Sequence, residues 1–403
     1  MDRRAIKLTG TMLVCTMLIG GCWDRVEIDQ RGFVIGVAID APVQSEQARG
    51  GESSGKYRVT FQIVTTSAIK AGQGKSGGGD GEGKGKAYTN ITVQEKTFSA
   101  VAAKLSNRTS RLPFMEHLKT IVVSSTMARS SEGLGNMFDF FLRDNDMRRS
   151  AHVLIAKEEA RKALELEVPN EPLPSIYLNI FDRNRRSSSF IPPQVRIGDV
   201  QEKLLQYETF VIPEVSLKGK EEASLESLAI IDGRANRMVG SLRGRDTQSL
   251  NFMRGTVKGG VVNFKLEGRE SALQLEKASS KIVLANRDPS SLAFTIRISV
   301  NGSLNETTAL DNFSEQEALD KIEQAVSSTI ASNCEDTLEK LQRKFKKDVV
   351  GIGSYLYRNH YRLWQKVEGN WERGDMMFSH VRIKVEVRTK VRRVGNIQQI
   401  RRG

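Results

Sequence analysis

Between residues 314 and 345, apolar side chains recur at every third or fourth position. Leu319, Ile322, Val326, Ile330, Cys334, Leu338, Leu341 and Phe345 fall on one stripe of a helix whose other faces are charged. Ser314 and Glu317 have the spacing of a capping box, which sets where that helix starts. At about 34 residues it exceeds the usual helix length, so a kink near Asn333 is expected. A one-sided stripe cannot bury itself and requires a second layer. Near the end of the chain, Val381, Ile383, Val385, Val387 and Val391 alternate with Arg382, Lys384, Glu386, Arg388 and Arg392. That period of two predicts a strand with one apolar and one basic face. Helix and strand complement each other, which predicts a C-terminal helix-strand domain over residues 306–403. Cys334 lies on the stripe and reads as a reduced, packed thiol rather than a reactive one.

The start of the chain constrains location. Asp2, Arg3, Arg4 and Lys7 precede an apolar run from Leu8 to Ile19, then Gly20, Gly21 and Cys22, in the order of a signal peptide. About 12 residues at ~1.5 Å each span roughly 18 Å, short of the ~30 Å hydrocarbon core, so a transmembrane helix is the weaker reading. The ending Leu18-Ile19-Gly20-Gly21-Cys22 resembles the bacterial lipobox, which implies cleavage after residue 21 and an S-diacylglyceryl group on Cys22, with N-acylation (palmitate) as a further modification. An ordinary secretory leader with an incidental cysteine is the competing reading. Two acyl chains anchor stably where one does not, so the mature protein is expected to be tethered. No later apolar run reaches membrane-spanning length.

Removing residues 1–21 leaves enough chain for two or three domains. With Cys15 in the leader and Cys22 acylated, Cys334 is left without a disulfide partner. The formal charge of +13 falls by two with the leader and suits an anionic partner. An exported, tethered chain meets anionic lipid headgroups before any nucleic acid.

The chain behind the leader reads as α+β. Phe33 to Ile39 is a buried strand closed by Asp40-Ala41-Pro42; Tyr57, Val59, Phe61 and Ile63 alternate with polar residues in a half-exposed strand expected to pair with it. The stretch 71–86 is half glycine and predicts a flexible loop. Its Gly74-Lys75-Ser76 is no phosphate loop, because Ile69 stands where that motif needs glycine. Helices are expected over Phe98–Arg108 and Leu134–Leu142, with a strand at Thr120–Val123 between them. His117 beside Glu116 reads as a hydrogen-bonded structural histidine, since neighbours in sequence do not face each other. His117, His152, His360 and His380 lack metal-ligand spacing, so neither metal nor cofactor is expected. Pro169, Pro172 and Pro174, then Arg183 to Pro193, mark the expected end of an N-terminal domain, 22–200. Hairpins follow, among them Leu228–Ile231 and Met238–Leu242 around Asp232-Gly233-Arg234, and predict a strand-rich middle domain, 201–305.

Several segments together carry a resemblance: Gly21-Cys22-Trp23-Asp24-Arg25, Gly36-Val37-Ala38-Ile39-Asp40, His117 to Val123, Phe140-Phe141-Leu142-Arg143-Asp144, and Asp348-Val349-Val350-Gly351-Ile352-Gly353-Ser354-Tyr355-Leu356-Tyr357-Arg358 with Trp364 and Trp371. In this order behind a lipobox, they resemble the Ger(x)C family, the C-subunit lipoproteins of spore nutrient-germination receptors. The resemblance implies α+β domains, usually described as three. It also implies a lipid anchor on the outer face of the spore inner membrane, A-type and B-type membrane subunits as partners, and no enzymatic activity. The glycine-rich insert departs from the family pattern. The residues themselves show no nucleophile-base pair and no paired carboxylates in a motif context. The expected function is therefore a non-catalytic subunit that assembles and positions a receptor. One rival reading is a lipid-anchored enzyme or binding protein for cell-wall polymer or solute; a nucleic-acid binder is disfavoured by 6% aromatic residues.

Overall fold

The computed structural model describes residues 30–43, 55–65, 86–144, 147–306 and 315–392. The leader, Cys22, the glycine-rich stretch up to residue 85 and Ser314 of the capping box lie outside the described residues.

The first apolar run forms β1 (Arg31–Asp40) and pairs antiparallel with β2 (Tyr57–Val64), as the patterns predict; β3 (Tyr88–Glu95) continues the edge. The helix expected from Phe98 is α1 (Phe98–Ser106), whose N-terminal amide on Ala100 donates to the Thr97 hydroxyl. Next come β4 (Leu112–Phe114), β5 (Thr120–Ser124), α2 (Ser125–Arg129), α3 (Leu134–Arg143) and β6 (His152–Ala156). After them follow α4 (Ala160–Ala163), α5 (Pro174–Ile180) and α6 (Ile197–Leu205). The first sheet closes with β7 (Phe210–Lys218), β8 (Glu222–Asp232) and β9 (Arg237–Arg243). Its strand order is β3-β2-β1-β5-β6-β7-β8-β9, with β4 beside β1. The central joins β1–β5, β5–β6 and β6–β7 are parallel and the flanking ones antiparallel.

Both faces of this sheet are covered. Val37, Phe61, Ile121 and Ile155 pack with Val101 of α1, Phe138 of α3 and Val200 of α6. Ala38, Val122 and Leu154 pack on the other side with Ala163 of α4 and Leu178 of α5. That second layer corrects the expectation of a half-exposed β2. Gln62 is fully buried; its side chain donates to the Leu164 carbonyl at 2.8 Å and accepts from the Ser175 amide at 3.1 Å. A polar residue at every second position marks either a wet face or a satisfied polar seam, and only the covering helices decide which.

The proline-rich stretch does not end the unit. Pro174 opens α5, where its missing N–H costs nothing, and the chain returns through α6 to add three more strands to the same sheet. Beyond it lie α7 (Arg245–Met253), β10 (Gly260–Leu266), β11 (Arg269–Asn286), β12 (Ala293–Glu306) and α8 (Glu315–Glu339), then α9 (Ile352–Asn359), α10 (Tyr361–Trp371) and β13 (Arg382–Arg392). The second sheet runs β10-β11-β12-β13, with β13 parallel to β12. The strands expected as a separate middle domain therefore divide. β7 to β9 complete the first sheet, and β10 to β12 supply three of the four strands of the second. A unit of residues 306–403 would lack most of the sheet that its helix covers.

The two sheets share a wall. Phe210, Ile212, Ala229 and Ile231 face the first core, while their sequence neighbours Val211, Leu228 and Ile230 face the second. Period-two alternation on β7 and β8 thus serves two cores at once. Against the second core lies the α8 stripe: Ile322, Val326, Ile330, Cys334, Leu338 and Leu341 are buried with Val381 and with Val385 and Val391 of β13. Polar stitches fix the register. The Thr389 amide donates to the Ser327 hydroxyl at 3.1 Å, and the Val391 amide to Glu323 at 2.9 Å. The helix stays regular past Asn333. Its irregularity is a π-helical turn, Lys340–Phe345, ended by Lys346 in the left-handed region at φ 54°. That turn delivers the Phe345 ring onto Gly240 of β9, where a Cβ would meet the ring at 2.2 Å.

Burial pushes the Cys334 thiol up to about 12, with its sulfur 3.7 Å from the Ser249 carbonyl. In a chain starting at Trp23 it is the sole thiol, so it reports on the packing of the stripe. At mildly alkaline pH the folded protein should resist a thiol-alkylating reagent. Ile330→Asp, which buries an unpaired charge at a cost of several kcal/mol, should make Cys334 alkylate rapidly and lower the melting temperature; Glu339→Ala on the exposed face should do neither. Equal alkylation rates in all three proteins would show that the stripe is not a packed core.

Candidate functional site

Where the two units meet, a cluster of charged side chains is largely withdrawn from solvent. Asp348 lies between the π turn and α9, 7% exposed. Its Oδ1 accepts from the amides of Gly351 at 2.9 Å and Ile352 at 3.1 Å; its Oδ2 accepts from the Gly353 amide at 2.6 Å and the Trp371 indole at 2.9 Å. Burial raises its pKa against the pull of these four N–H donors. The geometry accounts for the Gly-Ile-Gly sequence. Gly351 has φ 97°, open to glycine, and a Cβ on Gly353 would stand 3.0 Å from the Trp371 ring nitrogen and 3.1 Å from Trp364.

The next residue in space is Glu372, at the end of α10. It accepts from the Asp348 amide and from the Thr209 hydroxyl, both at 2.6 Å, and lies 3.4 Å from the Lys347 ammonium. Burial raises its pKa, and the neighbouring Asp348 charge adds to the rise, while Thr209, Lys347 and the Asp348 amide oppose it. Lys347 bridges to the first unit through Asp232 at 2.7 Å. Asp232 also accepts from the amides of Arg234 at 3.0 Å and Ala235 at 2.9 Å, closing the β8–β9 turn. Burial works against its ionisation, but the two amides and the Lys347 ammonium prevail and hold its pKa below the usual value. A last contact joins the Ser354 hydroxyl to Glu208 at 3.0 Å, and Glu208 also pairs with Lys203.

Beside this junction opens a cleft of about 300 Å³, lined by Tyr207, Arg234, Tyr357, Trp364 and Glu368 among others. Tyr207 is a non-glycine residue with φ 54° and is 61% exposed; the Arg234 guanidinium lies 5.3 Å from its ring centroid. Tyr357 and Tyr361 meet edge to face at 5.6 Å, with both rings exposed.

The histidines are placed elsewhere. His117 is exposed and rests against the rings of Phe33 and Phe114, at 5.5 and 5.9 Å, rather than in a hydrogen-bonded niche; Glu116 pairs with Arg148 at 3.0 Å. His152 Nδ1 accepts from the Asn179 amide at 2.8 Å, and burial lowers its pKa. Among the described residues, no group of three or more His, Cys, Asp or Glu is placed to hold a metal ion. None of the described helices is long and apolar enough to cross a membrane. Asp348, Gly351, Gly353 and Trp371 were already visible as a motif. Thr209, Lys347 and Glu372 were not, because isolated polar residues far apart in the chain leave no periodic signal.

The comparisons follow this two-part geometry. Residues 24–217 match the family described as Spore germination protein N-terminal domain, and residues 226–395 match Spore germination B3/GerAC like, C-terminal. The chain belongs to the Ger(x)C family, the C subunits of spore germination receptors. It is similar to Spore germination protein YndF of Bacillus subtilis (strain 168), 28% identical with 97% of this chain and 98% of that one aligned. Spore germination protein A3 of the same organism is 26% identical over 95% and 96%. In three dimensions the chain superposes on the structure titled "Crystal Structure of the GerBC protein" with TM-score 0.58 and 21% identity, covering 88% of this chain and 97% of that one. That likeness shows a shared α+β fold. The boundary between the family matches, residues 218–225, falls inside the β7–β8 hairpin, so each match contributes strands to the shared wall.

In this Ger(x)C protein the Asp232–Lys347 contact should hold the units together in a pH-dependent way. The folded pKa of Asp232 is depressed, so its contribution is complete above the ordinary carboxylate range and lost as pH falls through the folded value. Asp232→Asn should cost about 1–3 kcal/mol at neutral pH, and the deficit should shrink below about pH 4. Urea melts of both proteins at the two pH values measure it; a deficit unchanged by acid would rule out the ionised contact.

Proposed function

We propose that this chain is a lipid-anchored, non-catalytic subunit of a germinant receptor, needed to assemble and position the receptor and for the response to nutrient germinants. Cys22 carries the diacylglyceryl anchor, and the protein works on the outer surface of the spore inner membrane beside A-type and B-type membrane subunits. The observation that carries this reading is the end-to-end family match, which takes in both units and the wall between them. The junction adds chemical support. Its carboxylates accept from amides, hydroxyls, an indole and an ammonium group, the pattern of groups that hold a shape. A rigid two-unit body is what a positioning subunit requires.

The test is Cys22→Ala in spores of the protein's own host. Loss of palmitate labelling, loss from the inner-membrane fraction and a weakened response to nutrients are expected together, because two acyl chains are removed. Gentle-detergent purification of the unsubstituted protein should bring down two membrane-spanning partners. Labelling that survives the substitution would refute the anchor, and purification as a lone chain would refute the assembly role.

A further inference from the structure

The second sheet has one face on the apolar core and one in water, and the charged residues on the wet face are mostly basic. On β13 the inward residues Val385, Thr389 and Val391 are buried. The intervening Arg382, Lys384, Arg388, Lys390 and Arg392 are exposed. The register carries the charge across the neighbouring strands. Arg297 of β12 stands opposite Glu386 of β13 and Lys281 of β11, and Asn301 opposite Lys390 and Lys277. Arg297, Lys281 and Lys277 are exposed as well.

Acids are the minority on this face. Glu386 is shared by Arg297 at 3.3 Å and Lys384 at 2.9 Å, Glu276 lies 3.7 Å from Arg392, and Glu270 of β11 lies 3.7 Å from Lys265 of β10. Arg382, Arg388, Lys390, Lys277 and Lys281 have no carboxylate within ion-pair distance among the described residues. Beyond Glu386 the sequence adds Arg393, Arg401 and Arg402 and no Asp or Glu.

We propose that this exposed face of β11, β12 and β13 is a docking surface for an anionic lipid bilayer. Its dimensions fit such a partner. At ~3.3 Å per residue the wet positions of β13 extend roughly 33 Å, and three strands ~4.8 Å apart make a plane rather than a point. Unpaired Lys and Arg spread over a plane suit a sheet of headgroups; a compact ligand would need convergent donors. Aromatic residues on which bases could stack are missing from these outward positions, which favours lipid over nucleic acid. The inference rests on the membrane location proposed above and adds an orientation, with the second sheet laid flat on the bilayer.

The test uses the chain from Trp23, which lacks the anchor and contains every described element, so its failure would leave the Cys22 reading standing. Binding is measured on phosphatidylcholine vesicles with and without phosphatidylglycerol. Each basic side chain near an anionic surface strengthens partitioning about five-fold, so the triple variant Arg388→Gln, Lys390→Gln, Arg392→Gln should bind anionic vesicles roughly a hundred-fold more weakly. Its melting temperature should be unchanged, because all three side chains are exposed. A control of equal charge, Lys96→Gln, Lys119→Gln, Lys157→Gln, lies on the first unit and should change binding less than five-fold. Equal losses in both variants would overturn the surface in favour of diffuse charge. Absence of binding to anionic vesicles by the unsubstituted chain would overturn it outright. Tighter binding to duplex DNA than to vesicles, lost in the same triple variant, would assign the face to nucleic acid.

Discussion

The carboxylate of Asp348 is the contact on which the arrangement of the second unit depends. Four N–H groups converge on its two oxygens, and each belongs to a piece of structure that must be placed. Three are the first amides of α9, which have no partner within their own helix. The fourth is the Trp371 indole, whose ring packs with Phe294, Trp364 and Phe378. One side chain therefore starts one helix, ends the next and ties both to the sheet. Its own amide reaches Glu372, and through Glu372, Lys347 and Asp232 the same network crosses to the first unit. A buried charge is tolerated only where its hydrogen-bonding capacity is filled. Here the capacity is filled by groups that would otherwise be orphaned at helix ends.

Periodicity made most elements legible, and topology stayed out of reach. The α8 stripe, the β13 alternation, the β8–β9 hairpin and the opening β1–β2 pair are all local patterns, and each was recoverable from runs of ten to twenty residues. The shared wall was not. Val211 and Ile212 differ only in which side of β7 they occupy, and an apolar run looks the same whether one core or two receive it. For the same reason β7 to β9 read as the start of a new unit, although the parallel pairing of β7 with β6 attaches them to the old one. Pairings across fifty or more residues carry no signature in a single sequence.

The junction was partly legible. Its glycines and tryptophans stood out as a block because unusual backbone and large rings draw notice in any sequence. Thr209, Lys347 and Glu372 are ordinary surface residue types that happen to be half-buried, and only the fold distinguishes them. The π turn was likewise hidden: an over-long helix invites a break, but its position depends on where Phe345 must land, and that is decided by Gly240, a hundred residues earlier.

The parallel join of β12 to β13 bears on the order in which the molecule can be made. The first sheet has all its strands once residue 243 is available. The second acquires β12 by residue 306 but must wait for β13, which closes only at Arg392. A chain delivered from its N-terminus therefore presents a finished first unit while β12 still has a bare edge and α8 covers an incomplete sheet. Through that interval the apolar stripe is only partly covered beside the open edge of β12, a combination prone to wrong pairing. The vulnerable stage of this protein is thus the interval before β13 is delivered, and a truncation ahead of Arg382 would leave it there permanently.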